Sequence, residues 1–195
     1  MTDGAILTIG HSNHPLEKFI KLLERHRVSV VADVRSSPFS RFNPQFNKDS
    51  LATSLDERGI RYVSMGHQLG ARADDPSCYV NGRVQYSRLA KRPEFLDGVE
   101  RLIRGAKDYR IALMCAEKEP LECHRTLLVT QALAAKGLEV EHIHANGSLE
   151  RHQDALLRLL DVVGLPREDL FRSKDELLED ALSKQEARIA YQDVG

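Results

Sequence analysis

The sequence predicts an α/β fold with a mostly parallel sheet of about five strands between two layers of helices. Short apolar runs rich in β-branched residues alternate along the chain with segments of helical periodicity. The clearest run, residues 28–34, is almost continuously apolar, which is typical of a strand covered on both faces. A length of 195 residues and a hydrophobic content of 42% suit a single Rossmann-like, three-layer domain with its own core.

Five apolar runs are predicted to form the strands of this sheet. They are residues 5–10, 28–34, 60–65, 110–115 and 138–143. The fourth run, RIALMC, is apolar throughout, so we expect it at the centre of the sheet. Pro120 follows it closely and prevents further strand pairing.

Helical segments separate the predicted strands. Proline suits the first position of a helix, and Pro15 and Pro93 each precede apolar residues spaced at a helical period. Further helical patterns cover residues 51–55, 120–136 and 148–163. We expect the helices that begin at Pro93 and Pro120 to cover opposite faces of the sheet.

Two segments depart from this alternation. Residues 66–92 form a long irregular stretch, typical of a lid or binding segment. Residues 165–195 are predicted as a helical C-terminal extension of an α/β domain that spans residues 1–164. Ser173 begins a capping-box pattern in this extension. We expect the extension to pack on its own domain, and a homodimer contact through its helix and a frayed tail remain alternatives.

Composition narrows the classes of partner. A net charge of -1 provides no overall positive field for nucleic acid or for an anionic membrane, although a local basic patch remains open. No apolar stretch approaches the roughly 20 residues of a membrane span, and no secretory signal is expected. Three cysteines, an odd number, disfavour a disulfide framework. We therefore expect a cytoplasmic protein with no membrane partner.

Polar residues capable of chemistry follow all five predicted strands. In an open parallel sheet the carboxyl ends of the strands meet at one edge, and ligands bind there. The residues at these ends are His11, Ser12, Asp33, Arg35, His67, Cys115, Glu117, His142 and His144. We therefore expect one shared site at this edge.

The order of the motifs resembles a bacterial domain-of-unknown-function family, number 488. The motifs are TIGHS, VVADVRSSPFSR, ALMCAEKEPLECHR and EHIHANG. The most specific part of the match places Cys115-Ala116-Glu117, then Pro120, then Cys123-His124-Arg125 after an apolar run. The resemblance covers roughly residues 6–147, implies a compact α/β domain and supplies no settled activity.

An anion site is predicted at the same edge. A helix that opens near His124 offers free N–H groups and a dipole that favour phosphate, and arginine adds bidentate recognition. The candidate contacts are Ser12, Arg35, Arg41, His124, Arg125 and His144. The sequence contains neither the glycine-rich dinucleotide motif nor a P-loop, which disfavours the common dinucleotide and nucleoside triphosphate binders.

Four residues are candidates for catalysis. Glu117 is suited to proton transfer or charge stabilisation, with Asp33 or His11 as its partner. Cys115 is a candidate thiol, because positive groups and a helix N-terminus lower a thiol pKa. Free cysteines more often pack as small apolar residues, so we expect Cys115 to be mainly structural, with the catalytic thiol as the alternative.

No metal and no other cofactor are predicted. Cys115, Cys123, His124, His142 and His144 offer ligand atoms, but their spacing is not that of a structural zinc site. Adjacent residues such as Cys123 and His124 rarely reach one ion together from within a helix. Whether any of these residues binds a metal is left open by the sequence.

The leading hypothesis is an enzyme, a hydrolase or a transferase, that acts on a phosphate-bearing nucleotide or a nucleic-acid-derived substrate. An N-glycosidic bond is one candidate target, and the expected partner is a small anionic ligand. One alternative is a thiol or redox enzyme that uses Cys115 and Cys123. Another is a non-catalytic module that binds a nucleotide or nucleic acid.

Overall fold

A computed structural model describes residues 6–193, and in this part of the chain six strands form the central sheet. The strands, including a separate two-stranded hairpin, are β1 (Ile6–Gly10), β2 (Val30–Asp33), β3 (Arg61–Ser64), β4 (Tyr79–Val80), β5 (Arg83–Val84), β6 (Ile111–Cys115), β7 (Val140–Ile143) and β8 (Leu149–Arg151). The order across the central sheet is β3-β2-β6-β1-β7-β8, and only the pair β7–β8 is antiparallel among the described strands of that sheet. The predicted α/β class is confirmed, with RIALMC at the centre as β6.

Helices cover both faces of the sheet. They are α1 (Leu16–Arg25), α2 (Lys48–Asp56), α3 (Gly66–Leu69), α4 (Tyr86–Leu89), α5 (Pro93–Gly105), α6 (Gln131–Ala135), α7 (His152–Val163) and α8 (Lys174–Ile189). Short 3₁₀ turns lie at Pro44–Phe46, Pro76–Cys78 and Pro120–Glu122, and a π-helix spans Arg125–Thr130. No helix within residues 6–193 is long and apolar enough to cross a membrane.

The winding of the chain decides which face each helix covers. From β1 to β3 the chain moves toward one edge, and α1 and α2 pack on one face, where Phe19 and Leu55 are buried. From β3 to β6 and on to β7 it moves the other way, and right-handed crossovers then place their helices on the opposite face. The expectation that the helices beginning at Pro93 and Pro120 cover opposite faces is therefore wrong, because Val99 and Leu128 belong to the same core.

The segment after β7 differs from its prediction. The sequence predicts a helix from about residue 148, whereas Leu149–Arg151 pairs with β7 as the antiparallel edge strand β8. Gly147 adopts a positive φ of 83° in the connecting turn, and His144 N–H donates to the Ser148 carbonyl at 2.9 Å. The Asn146-Gly147 pair is a hairpin signal of the sequence, because glycine adopts positive φ without strain.

The predicted helix at residues 120–136 is divided into separate pieces. The 3₁₀ turn at Pro120–Glu122 ends at Cys123, whose backbone is extended at φ -140° and ψ 140°. Helical geometry resumes at His124 and passes through the π-helix, where the Thr130 hydroxyl donates to the Arg125 carbonyl at 2.7 Å. A π-helix often marks a functional region. The break at Cys123 sets the geometry of the site described below.

The C-terminal helix α8 packs on the rest of the chain. Its apolar stripe buries Leu177 and Ala181 in the same core as α5 and α7. Gln185 Nε2 donates to the Leu121 carbonyl at 2.8 Å, and Glu186 accepts from the Tyr86 N–H at 2.7 Å. The capping box at its N-terminus is present, as the sequence predicts.

A buried histidine pair joins β7 to α7. His142 Nδ1 lies 2.8 Å from the Thr8 hydroxyl, and His142 Nε2 lies 3.1 Å from His152 Nδ1. Gln131 completes this chain at 3.0 Å from His152 Nε2. Burial lowers the pKa of His152 to about 4 and holds the pKa of His142 well below its usual value. Both rings are therefore neutral in the folded protein at neutral pH.

Acidification is expected to destabilise the fold through this pair. Between pH 6.5 and about 4 the unfolded state binds a proton at His152 that the folded state does not, so stability falls as pH falls. A change from pH 7 to pH 5 should cost about 2 kcal/mol through His152, measured by urea unfolding. His152→Gln should reduce this pH dependence, whereas His67→Gln, at an exposed position, should not. Equal pH dependence in the wild type and His152→Gln would contradict the assignment.

Candidate functional site

A pocket of about 250 Å³ opens beyond the carboxyl ends of β2 and β6. This is the edge of the sheet at which the sequence predicts a site. The walls come from the two strand ends, from residues 71–86, from the start of the broken helix and from the end of α8. The side chains include Arg35, Ser36, Arg72, Tyr86, Cys115, Glu117, Glu122, Cys123, His124, Ile189 and Tyr191.

The loop after β6 is fixed to β1 by its backbone. The N–H groups of His11 and Ser12 donate to the carbonyls of Cys115 and Ala116, both at 2.9 Å. Position 10 requires glycine, because a Cβ there would collide with the carbonyl oxygen of Glu117. These contacts determine where the Glu117 side chain leaves the backbone, and they bring it to the pocket.

Two sulfur atoms and one ring nitrogen converge at the floor of the pocket. His124 Nδ1 lies 3.7 Å from Cys115 Sγ and 3.8 Å from Cys123 Sγ. The other ring nitrogen, Nε2, donates to the Val34 carbonyl at 3.0 Å. All three side chains are buried. The Val34 contact therefore turns the free Nδ1 atom toward both sulfurs, and we call these three residues the Cys–Cys–His cluster.

Glu117 lies between this cluster and the open pocket. The residue is exposed, and its Oε2 atom accepts a hydrogen bond from Cys123 Sγ at 3.1 Å. Crowding by protein atoms and the nearby charge of Cys123 raise the pKa of Glu117 above its ordinary value. The carboxyl group thus faces both the thiol cluster and any molecule in the pocket.

The cluster favours a negative charge on Cys123. Burial raises the pKa of the Cys123 thiol, but the hydrogen bond from Cys115 and the positive groups of Arg125 and His124 outweigh it and lower the pKa well below the usual value. The same hydrogen bond, followed by burial, raises the pKa of Cys115. Burial alone lowers the pKa of His124, yet its contact with Cys123 raises it overall. Arg125 and His124 are thus the positive groups that favour a thiolate at Cys123.

Arg35 reaches the pocket from the end of β2 and is held from behind. Asp33 accepts from its Nε at 2.9 Å and from its NH2 group at 2.6 Å, and Tyr62 donates to the same carboxylate at 2.6 Å. Burial lowers the pKa of His11 to about 4, and its Nε2 lies 3.1 Å from Arg35 NH1. Asp33 and His11, both catalytic candidates from the sequence, therefore orient Arg35 and are not themselves part of the pocket wall.

Four predicted anion contacts lie apart from the pocket walls: Ser12, Arg41, Arg125 and His144. Arg125 is fully buried, and its guanidinium donates to the carbonyls of Glu117 at 2.7 Å and Lys118 at 3.4 Å. It therefore serves the protein's own backbone, and we do not include it in the anion site proposed below.

The other three residues, Ser12, Arg41 and His144, lie elsewhere on the protein. Arg41 is exposed and lies over the Phe42 ring, and Ser12 adopts a positive φ of 50° after β1. His144 pairs with Glu150 at 2.9 Å, on the hairpin between β7 and α7. Of the six predicted anion contacts, the pocket brings together Arg35 and His124.

The far wall of the pocket comes from residues 71–86 and from the end of α8. Arg72 lies over the Tyr191 ring with its guanidinium carbon 4.2 Å from the ring centre, and Tyr86 is buried beside them. The interspersed arginines and tyrosines of residues 66–92 are a sequence signal for a segment that closes over a ligand. Nothing in the sequence indicated that Ile189 and Tyr191, at the end of α8, reach the same pocket.

A model of one known protein family matches more than half of the chain. The model of the family described as "Domain of unknown function DUF488" matches residues 15–132, which include the Cys–Cys–His cluster, Glu117 and Arg35. Comparisons with curated proteins and with solved structures gave no match. Ile189 and Tyr191 lie outside the matched residues, so this chain completes its pocket with a segment that the family model does not cover.

Gly10→Ala tests the attachment of the Glu117 loop to β1. The added Cβ must displace the Glu117 carbonyl, so we expect a loss of about 1–3 kcal/mol of stability in urea unfolding. Gly105→Ala is the control, because its Cβ would meet only the terminal methyl of Ile111 at 3.1 Å. An equal and small effect of both substitutions would show that the loop is not fixed by this contact.

Proposed function

The chain belongs to the family described as domain of unknown function DUF488, and from its pocket we propose an enzyme that hydrolyses, or transfers a group from, a small anionic substrate of the nucleotide class. The observation that carries the proposal is the position of Glu117. Its carboxyl group lies 3.1 Å from Cys123 Sγ in a pocket that is also lined by Arg35 and Arg72. A proton carrier thus faces the same space as two cations.

The cations define the charge of the substrate. Arg35 is oriented by Asp33 and His11, so its position is fixed before any ligand enters. Arg72 is exposed at the rim, and its N–H donates to Ser36 Oγ at 3.1 Å, which holds its backbone beside the strand end. Because Asp33 compensates the charge of Arg35, Arg72 is the main attraction for a phosphate or carboxylate.

The aromatic residues define the shape of the substrate. Tyr86 and Tyr191 line the pocket, and aromatic rings offer flat surfaces that suit a nucleobase or another planar ring. Arg72 lies over Tyr191, so the charged group and the flat surface are adjacent. This combination supports a ligand with a ring at one end and an anionic group at the other.

The proposed reaction uses Glu117 as the proton carrier. Glu117 takes a proton from water while the water oxygen forms a bond to the substrate atom, and the bond to the leaving group breaks. The leaving group then receives the proton from Glu117, so that R–X and H₂O give R–OH and HX. An N-glycosidic bond is one such R–X, and replacement of water by another acceptor makes the reaction a transfer.

A thiol enzyme is the second candidate, and a specific arrangement favours it. Cys123 is the nucleophile, and His124 beside it is the base. The Val34 carbonyl orients the His124 ring. In this case the Cys123 thiolate forms a bond to the substrate atom while the bond to the leaving group breaks, and the leaving group takes a proton from His124. Water then cleaves the sulfur–substrate bond and restores Cys123, with Cys115 as the neighbouring thiol. Cys123→Ser would then abolish covalent labelling by an electrophilic substrate analogue, whereas Cys78→Ser, at a buried cysteine outside the pocket, would not.

Glu117→Gln tests the leading proposal. The substitution keeps the shape of the side chain and removes its ability to carry a proton, so turnover should fall by about 100-fold or more. Turnover is measured on a panel of nucleoside monophosphates and their analogues by chromatography, and affinity by calorimetry. Glu122→Gln, at the same pocket, is the matched control and should keep most activity. Full activity of Glu117→Gln on a turned-over substrate would refute this role.

Arg72→Ala tests the proposed anion contact. We expect a roughly five- to thirty-fold loss of affinity for phosphate-bearing ligands, since charge-assisted hydrogen bonds contribute about 1–2 kcal/mol at such sites. The melting temperature should remain nearly unchanged, because the side chain is exposed. Arg101→Ala, which removes an arginine bonded to Gln68 outside the pocket wall, is the control. Equal affinity of Arg72→Ala and the wild type would exclude Arg72 from the anion site.

A further inference from the structure

The Cys–Cys–His cluster has the composition and the size of a metal site. The three ligand atoms, Cys115 Sγ, Cys123 Sγ and His124 Nδ1, all lie within 4.8 Å of one another. Two thiol groups and one imidazole are the ligands that zinc prefers in proteins. We propose that these three atoms bind a zinc ion whose fourth coordination position opens toward the pocket beside Glu117.

The distances in the cluster fit a tetrahedral ion. Zinc lies about 2.3 Å from sulfur and about 2.0–2.1 Å from nitrogen, so the ligand atoms of a tetrahedral site are separated by roughly 3.5–3.8 Å. His124 Nδ1 lies 3.7 Å and 3.8 Å from the two sulfur atoms. The side chains therefore need only small movements to place an ion between them.

The backbone explains how adjacent residues contribute to one ion. Within a helix Cys123 and His124 would point in different directions, which is why the sequence disfavours a metal here. In the structure Cys123 is extended, at φ -140° and ψ 140°, and helical geometry begins only at His124. The break in the predicted helix turns both side chains toward Cys115 at the end of β6.

The surroundings of the three ligands are those of a metal site. The Val34 carbonyl accepts from His124 Nε2 at 3.0 Å, which fixes the ring with Nδ1 free for a metal. The Arg125 N–H donates to Cys123 Sγ at 3.4 Å, a contact that stabilises a thiolate ligand. Two thiolates also neutralise the charge of one Zn²⁺, so that a buried ion leaves no net charge in the cluster.

Glu117 would lie next to the ion and not bind it. A catalytic zinc keeps three protein ligands and leaves a fourth position for water, whose pKa it lowers to near neutrality. Glu117 then accepts the proton of that water, the role proposed for it above. Water activation by the ion rests on the proposed function, whereas binding of the ion by the cluster does not.

Metal analysis of the purified chain tests the site. The full chain is purified under reducing conditions, incubated with zinc, dialysed and analysed by mass spectrometry of the metal. We expect about one zinc per chain in the wild type, in Cys78→Ser and in Glu117→Gln. Cys115→Ser, Cys123→Ser and His124→Gln should each weaken zinc binding at least tenfold in a competition with a chromogenic chelator. A wild type without zinc, or three ligand variants that bind zinc like the wild type, would overturn the proposal.

Cobalt substitution tests the site in the wild type itself, so the result does not depend on whether a variant folds. Cobalt(II) in a tetrahedral site with thiolate ligands should give intense visible bands and a sulfur-to-metal charge-transfer band in the wild type. Absence of these bands in the folded wild type would contradict the proposed ligand set. Cys78→Ser, which leaves the cluster unchanged, should show the same spectrum as the wild type.

The two proposals fail in distinguishable ways. If zinc binds as expected but Glu117→Gln keeps full turnover, the ion is present and the proposed role of Glu117 is wrong. If the chain binds no zinc but turnover still depends on Glu117, the metal proposal is wrong and the proposed function stands. An equal rate of Cys123 labelling by an electrophilic substrate analogue with and without added zinc would count against the metal, because ligation slows the attack of a thiolate.

Discussion

The buried guanidinium of Arg125 is the interaction on which the rest of the site depends. It donates to the carbonyls of Glu117 and Lys118, and its Nε lies 3.4 Å from the Thr8 hydroxyl on β1. A single side chain thereby connects β1, the loop after β6 and the start of the broken helix. A fully buried positive charge is costly unless it is compensated, and the carbonyls and the nearby sulfur atoms supply that compensation. Removal of Arg125 would therefore disturb the site through its scaffold.

A second constraint joins β2 to this unit. The Val34 carbonyl orients His124, and Asp33 holds Arg35 in the direction of the pocket. The end of β2 thus supplies both contacts, one to His124 on the broken helix after β6 and one to Arg35. Because these supports are backbone groups or buried ion pairs, the pocket side chains are positioned by the folded sheet before a ligand enters.

The sequence predicted the fold where one physical signal dominated. Continuous apolar runs such as residues 28–34 identify buried parallel strands, and the polar ends of β2 and β6 identify the edge that carries the pocket. Cys115 and Glu117, which the sequence places at the end of the central strand, line that pocket. The edge strand β8 was missed because the apolar residues after Ser148 have a helical period, which extends without a break across the short strand Leu149–Arg151.

Other features of the site depend on contacts between residues far apart in the chain, which the hydrophobic periodicity of the sequence does not predict. A helix start favours anions, which is why the sequence predicts Arg125 as an anion ligand, but its buried guanidinium donates to the carbonyls of Glu117 and Lys118. Cys123 and His124 looked incompatible with one ion because a continuous helix was assumed through both. Ile189 and Tyr191 reach the pocket only because α8 folds back over the Pro120–Glu122 turn, through contacts such as that of Gln185 with Leu121.

X-ray absorption spectroscopy at the zinc edge of the zinc-loaded, reduced full chain tests the central claim most directly, because it measures the ligand set without a substrate. Two sulfur neighbours at about 2.3 Å and two nitrogen or oxygen neighbours at about 2.0–2.1 Å are expected, the latter from His124 and one water. Cys123→Ser should lose one sulfur neighbour. If all the atoms that coordinate zinc are oxygen and nitrogen, or if all four are sulfur, the result contradicts a catalytic zinc held by Cys115, Cys123 and His124.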